Sequence, residues 1–154
     1  MKTLAERQAD HAKVSKKIAE LGNEGLAAML KDATQVHSGI GGTAVKLEIG
    51  GVPIFAKQIA ISDLEMLNPN STANLFDLPT YYQYGVGSAG FGAWRELEAH
   101  KMTTDWVLKN ECQNFPLMYG HAVLSREKPE PLSEEMLDEM TRYWGGSGQV
   151  KERL

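Results

Sequence analysis

Lys57 stands in an otherwise almost wholly apolar run, "VPIFAKQIAI" at 52–61. An ammonium inside a buried strand is costly unless a carboxylate or phosphate compensates it. On an edge strand the same lysine simply reaches solvent and discourages edge-to-edge pairing. Upstream lies "GIGGT" at 39–43, whose backbone amides can approach phosphate oxygens closely because glycine carries no side chain; its plainer reading is a turn leading into a hairpin. Downstream, "WRELEAH" at 94–100 offers Glu96 and Glu98 as carboxylate partners for the lysine. Glu96 also reads as a solvated helix carboxylate facing His100 one turn on.

A second glycine cluster, "YGVGSAGFGAWRELEAH" at 84–100, contains a full G-x-G-x-x-G at Gly85, Gly87 and Gly90. A dinucleotide site needs a strand before those glycines and an acidic residue about 20 positions on, closing a second strand. Asp105 has the spacing, but it sits in "HKMTTDWVLKN", which continues a helix, and the preceding "TYYQY" is too wet for a buried parallel strand. These glycines therefore read as a sharp lead-in to a helix.

The surrounding elements follow from periodicity. Leu4, Val14, Ile18 and Leu21 give residues 3–31 a helical stripe, broken at Gly22-Asn23, of the kind that packs on a parent domain or a second copy. The period becomes two at 43: "TAVKLEI" puts Val45, Leu47 and Ile49 on one face, and Gly50-Gly51 turns the chain into the next strand. Residues 62–80 read as irregular, with a turn at Asn68-Pro69, and 92–109 as a helix. "FPLMYGHAVLS" at 115–125 reads as a strand, and Pro129 and Pro131 mark a linker. "LSEEMLDEMTRYW" at 132–144 reads as a helix capped by Ser133 and stopped by Gly145-Gly146.

Composition narrows the classes. A chain of 154 residues with 42% hydrophobic and 23% charged residues is that of a globular core. A net charge of −4 with scattered basic residues argues against nucleic acid as a partner. The single cysteine, Cys112, excludes an intrachain disulfide and suits a reducing compartment. No signal-like or membrane-spanning stretch is visible, so the expectation is a cytoplasmic protein without membrane contact.

A glycine turn, a lysine on the next strand and a glutamate on the following helix is the layout that holds nucleotide phosphates in the small lobe of protein kinases. "GIGGTAVKLEIGGVPIFAKQI", with "NLFDLPTYYQYGVGSAGFGAWRELEAHKMTTDWVL", resembles a bacterial protein-kinase-like family related to eukaryotic-type serine/threonine kinases. The resemblance spans most of 36–150 and is most distinctive over "GSAGFGAWREL". It implies an α+β small lobe, an antiparallel sheet with a long packed helix and flanking helices. The expected organisation is an N-terminal helical segment at 1–34, the lobe at 35–126, and a linker and helical tail at 127–154.

The resemblance also implies roles. Gly39, Ile40, Gly41, Gly42 and Thr43 form the glycine-rich loop, and Val45 is the residue covering the nucleotide. Phe55 occupies the small-residue site beside the adenine, and Lys57 binds the phosphates. Glu96 orients Lys57, with Glu98 the runner-up. The departures are Ala44 at the third glycine position, a short loop-to-lysine segment, and the bulk of Phe55. The implied ligands are ATP and Mg, the metal ligands belonging to a large lobe.

Neither His-Arg-Asp nor Asp-Phe-Gly occurs in the sequence. The expectation is therefore an N-terminal fragment of a serine/threonine kinase-like enzyme, inactive alone and phosphorylating an unknown protein when joined to a large lobe. The competing expectation is a non-catalytic module of similar fold, binding a protein or a second copy through its N-terminal helix.

Overall fold

The computed structural model describes residues 2–39, 42–125 and 131–154. These fall into two compact units, each discontinuous along the chain: 2–38, 42–58 and 97–125 form the first, and 39, 59–96 and 131–154 the second. The architecture is α+β, with a three-stranded sheet and several helices.

In the first unit α1 runs over Leu4–Lys31. Thr3 and Glu6 cap it reciprocally, Glu6 bonding back to the Thr3 backbone while the Thr3 hydroxyl accepts from the Glu6 amide. Those bonds hold the Glu6 carboxyl below its usual range. Gly22, at φ 62 and ψ −174, breaks the helix where the Gly-Asn pair announced a break. The strands β1 (Thr34–Gly39), β2 (Gly42–Ile49) and β3 (Val52–Gln58) form a sheet of order β1-β2-β3. Gly50 and Gly51 turn β2 into antiparallel β3 with φ of 63° and 78°, values that glycine takes without a side-chain clash.

Val14 from α1 and Ile49, Val52 and Ile54 from the hairpin make the core of this unit, with Ile18, Met29, Leu47 and Tyr119 packed around them. Each such side chain contributes about 1.5–3 kcal/mol on burial. Val14 and Ile18 of the α1 stripe therefore pack against the chain's own hairpin, whereas Leu21 is exposed. The expected strand at 115–125 does not form: residues 117–125 are neither helix nor strand. Among the described residues, side chains rather than a neighbouring strand bond part of this backbone. Arg7 donates to the Gln113 carbonyl at 2.6 Å and to that of Phe115. His11 Nε2 lies 3.1 Å from the Met118 carbonyl, and the Met118 amide donates to Thr104 Oγ1 at 2.9 Å. The result is a strap lying along α1.

The second unit contains α2 (Asp63–Leu67), α3 (Thr80–Gln83), α5 (Glu134–Tyr143) and α6 (Gly148–Arg153); α4 (Ala93–Leu108) gives its first four residues to this unit and the rest to the first. The short helix α2, in a stretch expected to be irregular, is set by a capping box between Ser62 and Glu65. Glu65 is only 5% exposed. Its Oε2 accepts from the Ser62 amide and hydroxyl at 2.9 and 2.8 Å, and lies 3.5 Å from the Arg153 guanidinium. Its Oε1 accepts from the Ala93 amide at 3.3 Å, at the positive end of α4. The Glu65 carbonyl accepts from the Trp94 indole at 2.7 Å. The apolar core of the unit is Leu78, Tyr82 and Val150, flanked by Phe76, Trp144 and Leu154, with the Tyr82 and Trp144 rings edge-to-face at 5.1 Å.

Two outcomes follow. Glu65→Ala leaves Arg153 and the start of α4 without their shared acceptor and lowers stability by about 3 kcal/mol in urea unfolding. The Tyr82 hydroxyl is buried and, among the described residues, no group meets it in hydrogen-bond geometry. Burial pushes its phenol above the ordinary 10.0, with Arg153 and, least, the Ala89 backbone pulling it partly back. The fold favours the neutral phenol, so this contribution is full below the ordinary value and is lost as pH rises through the raised native one. Tyr82→Phe keeps or raises stability at neutral pH and flattens the fall in melting temperature above pH 10, read by thermal unfolding across that range.

Candidate functional site

The β2–β3 register decides which of the candidate residues share a surface. Ala44 pairs with Lys57, Val45 with Ala56, Lys46 with Phe55, Leu47 with Ile54 and Glu48 with Pro53. Side chains alternate between faces along each strand. Val45, Leu47, Ile49, Val52 and Ile54 turn to the core, and Lys46, Glu48, Phe55 and Lys57 turn outward. Phe55 is 71% exposed, and Lys57 is exposed two residues beyond it on the same strand.

Val45 does not share that surface. It is 4% exposed on the core face, opposite Ala56, so it packs beneath the sheet, on the face away from Lys57 and Phe55. A one-residue offset in side-chain direction reverses the face, which is why matching a valine by position along the motif is not enough.

β1 ends at Gly39 and β2 begins at Gly42, at the end of the hairpin where Lys57 pairs with Ala44. Gly39 closes β1 and Gly42 opens β2 at φ 111, a conformation that side-chain-bearing residues rarely adopt. Ile40 and Gly41, also expected to line the site, lie outside the described residues. The Ser38 and Thr43 hydroxyls are 3.4 Å apart across the base of the turn, and Thr43 pairs with Gln58. This end of the first unit thus gathers two hydroxyls, a glycine with positive φ and the Lys57 strand end. Ser38 was not singled out by sequence; its signal is a position as far before the turn as Thr43 lies after it.

The two candidate carboxylates differ. Glu96 is half-buried in the first turn of α4, among the residues of the second unit. Glu98, in the first unit, is held by Lys101 at 2.6 Å across one helical turn. Among the described residues no cluster of three or more His, Cys, Asp or Glu is placed to hold a metal. No described helix is long and apolar enough to cross a membrane.

The regular G-x-G-x-x-G at 85–90 is a packing device. It follows the helix α3, so the strand that a dinucleotide fingerprint needs is replaced by a helical turn. A Cβ at Gly85 would sit 2.4 Å from the Tyr81 carbonyl and 2.9 Å from the Trp144 ring; one at Gly90 would sit 2.5 Å from the Tyr82 carbonyl and 2.8 Å from Gln83 Cα. These glycines let the chain fold back on α3. Gly87, with φ 84 and open space around it, answers only to the turn.

Against known proteins, no family model, no curated protein and no solved structure matches this chain.

The glycines of 85–90 respond to substitution unequally. Gly90→Ala forces backbone apart and costs more than about 2 kcal/mol, whereas Gly87→Ala costs about 1 kcal/mol for its left-handed backbone alone. Chemical denaturation of the two variants checks the order.

Proposed function

We propose that this chain provides the phosphate-binding part of an ATP-dependent phosphotransferase of the protein-kinase-like type, acting on a protein serine or threonine when joined to a large lobe. The observation that carries this reading is the pairing of Lys57 with Ala44, two residues from Gly42 at φ 111. A cation therefore stands across the ladder from the strand that leaves the glycine turn. Backbone amides of such a turn and a neighbouring ammonium together form an anion site, and two hydroxyls at its base add donors for phosphate oxygens.

In this reading the chemistry supplied here is electrostatic: Lys57 and the turn position the phosphates, and proton transfer and metal binding belong to the large lobe. Val45 has no part in the site, being a core residue.

Calorimetric titration of Mg-ATP into the chain tests the proposal. Binding should be lost in Lys57→Ala and unchanged in Glu98→Ala, whose carboxylate is engaged by Lys101. Absence of binding to the wild-type chain would remove the nucleotide reading. Equal binding by the wild-type chain and Lys57→Ala would move the site away from the hairpin.

A further inference from the structure

The two edges of the three-stranded sheet differ. β3, at one edge, carries Pro53, which has no amide hydrogen to offer, and Lys57. Proline and lysine on an edge strand keep further strands from adding to it. β1, at the other edge, has neither: Thr34-Gln35-Val36-His37-Ser38 contains no proline and no Lys, Arg, Asp or Glu. All five residues are exposed, and Val36 presents 49% of its surface to solvent. Among the described residues, the one hydrogen bond that any of them makes outside the strand ladder joins the Ser38 and Thr43 hydroxyls. An edge strand of this kind offers a row of backbone N–H and C=O groups to another strand.

The strand also reads nearly the same from either end. Thr34 and Ser38 bring hydroxyls, Gln35 and His37 bring side chains with nitrogen donors and an acceptor, and Val36 is the centre. Antiparallel pairing with a second copy about a two-fold axis at Val36 sets Thr34 opposite Ser38, Gln35 opposite His37 and Val36 opposite Val36. No two like charges meet in that register, and each exposed valine is covered by its twin. We propose that β1 is a homodimerisation edge, through which two copies join their sheets into one across a two-fold axis. Such an interface uses the same patch on both copies, so it closes at two. The other edge, blunted by Pro53 and Lys57, does not extend the assembly. The proposal is independent of the nucleotide reading.

Sedimentation equilibrium of the full chain, from low micromolar to near-millimolar concentration, should show monomer and dimer and nothing larger. Val36→Lys and Val36→Glu each set like charges opposite one another across the axis and should weaken dimerisation roughly tenfold or more. An equimolar mixture of the two variants should dimerise about as tightly as wild type, because each lysine then meets a glutamate. Val36 is exposed and outside the core, so these changes do not confound folding with association. In the wild-type chain, amide hydrogen exchange at 34–38 should slow as concentration rises through the dimerisation range, a reading that needs no variant. Leu21→Lys, on the exposed part of the α1 stripe, should leave the dimer unchanged. A wild-type chain that stays monomeric throughout overturns the proposal. So does a dimer indifferent to both Val36 substitutions, a mixture that fails to recover, or exchange at 34–38 that does not respond to concentration. A dimer lost in Leu21→Lys and kept in the Val36 variants moves the interface to α1 and overturns it as well.

Discussion

The second unit depends on one carboxylate. Glu65 closes the cap of α2, receives the first amide of α4 and faces Arg153 of α6, while its own carbonyl takes the Trp94 indole proton. Three elements separated in sequence share one buried acceptor. A carboxylate withdrawn from water is costly, and what offsets the cost here is the number of donors aimed at it. The same side chain explains Gly92, since a Cβ there would meet Glu65 Oε1 at 3.0 Å. Arg153, with its guanidinium 5.5 Å from the centre of the Phe76 ring, ties the end of the chain to the apolar core beside it.

The first unit depends on alternation. Period-two hydrophobicity made β2 and β3 and their glycine turn legible, and the same alternation settles what the face opposite the core can do. Helices with strong end signals were equally legible: the break at Gly22, the Ser133 cap and the span of α4 all follow from local chemistry. The expectation of an α+β chain holds at that level. The kinase-like relationship is a proposal carried by the glycine turn and Lys57.

What was not legible has physical reasons. The capping box Ser62-Asp63-Leu64-Glu65 was present in the sequence but surrounded by Asn, Pro and Ser, so composition hid a five-residue helix. "TYYQY" reads as too wet for a buried strand, yet Tyr82 and Gln83 are buried in a helical turn against Trp144 and Arg95; with its amide oxygen toward Arg95, Gln83 accepts from both terminal nitrogens at 2.9 and 3.1 Å. The strap at 113–119 carries apolar residues like a strand, but its partners are side chains of α1 and α4, which no window of sequence reveals. For the candidate site, motif spacing put Val45 together with Phe55 and Lys57, and the β2–β3 register turns Val45 to the other face, because direction depends on register.

The strap has a consequence for how the chain is made. The bond from Arg7 to the Phe115 carbonyl closes a loop of 108 residues, and the second unit is sealed by Val150 close to the last residue described. Neither unit is complete on a nascent chain until most of the sequence has left the ribosome. The β2–β3 hairpin, whose contacts are local, can form early and must wait with one apolar face only partly covered. Lys46, Glu48 and Lys57 on its other face then act as charges that keep a half-built sheet in solution, whatever they bind once folding is finished.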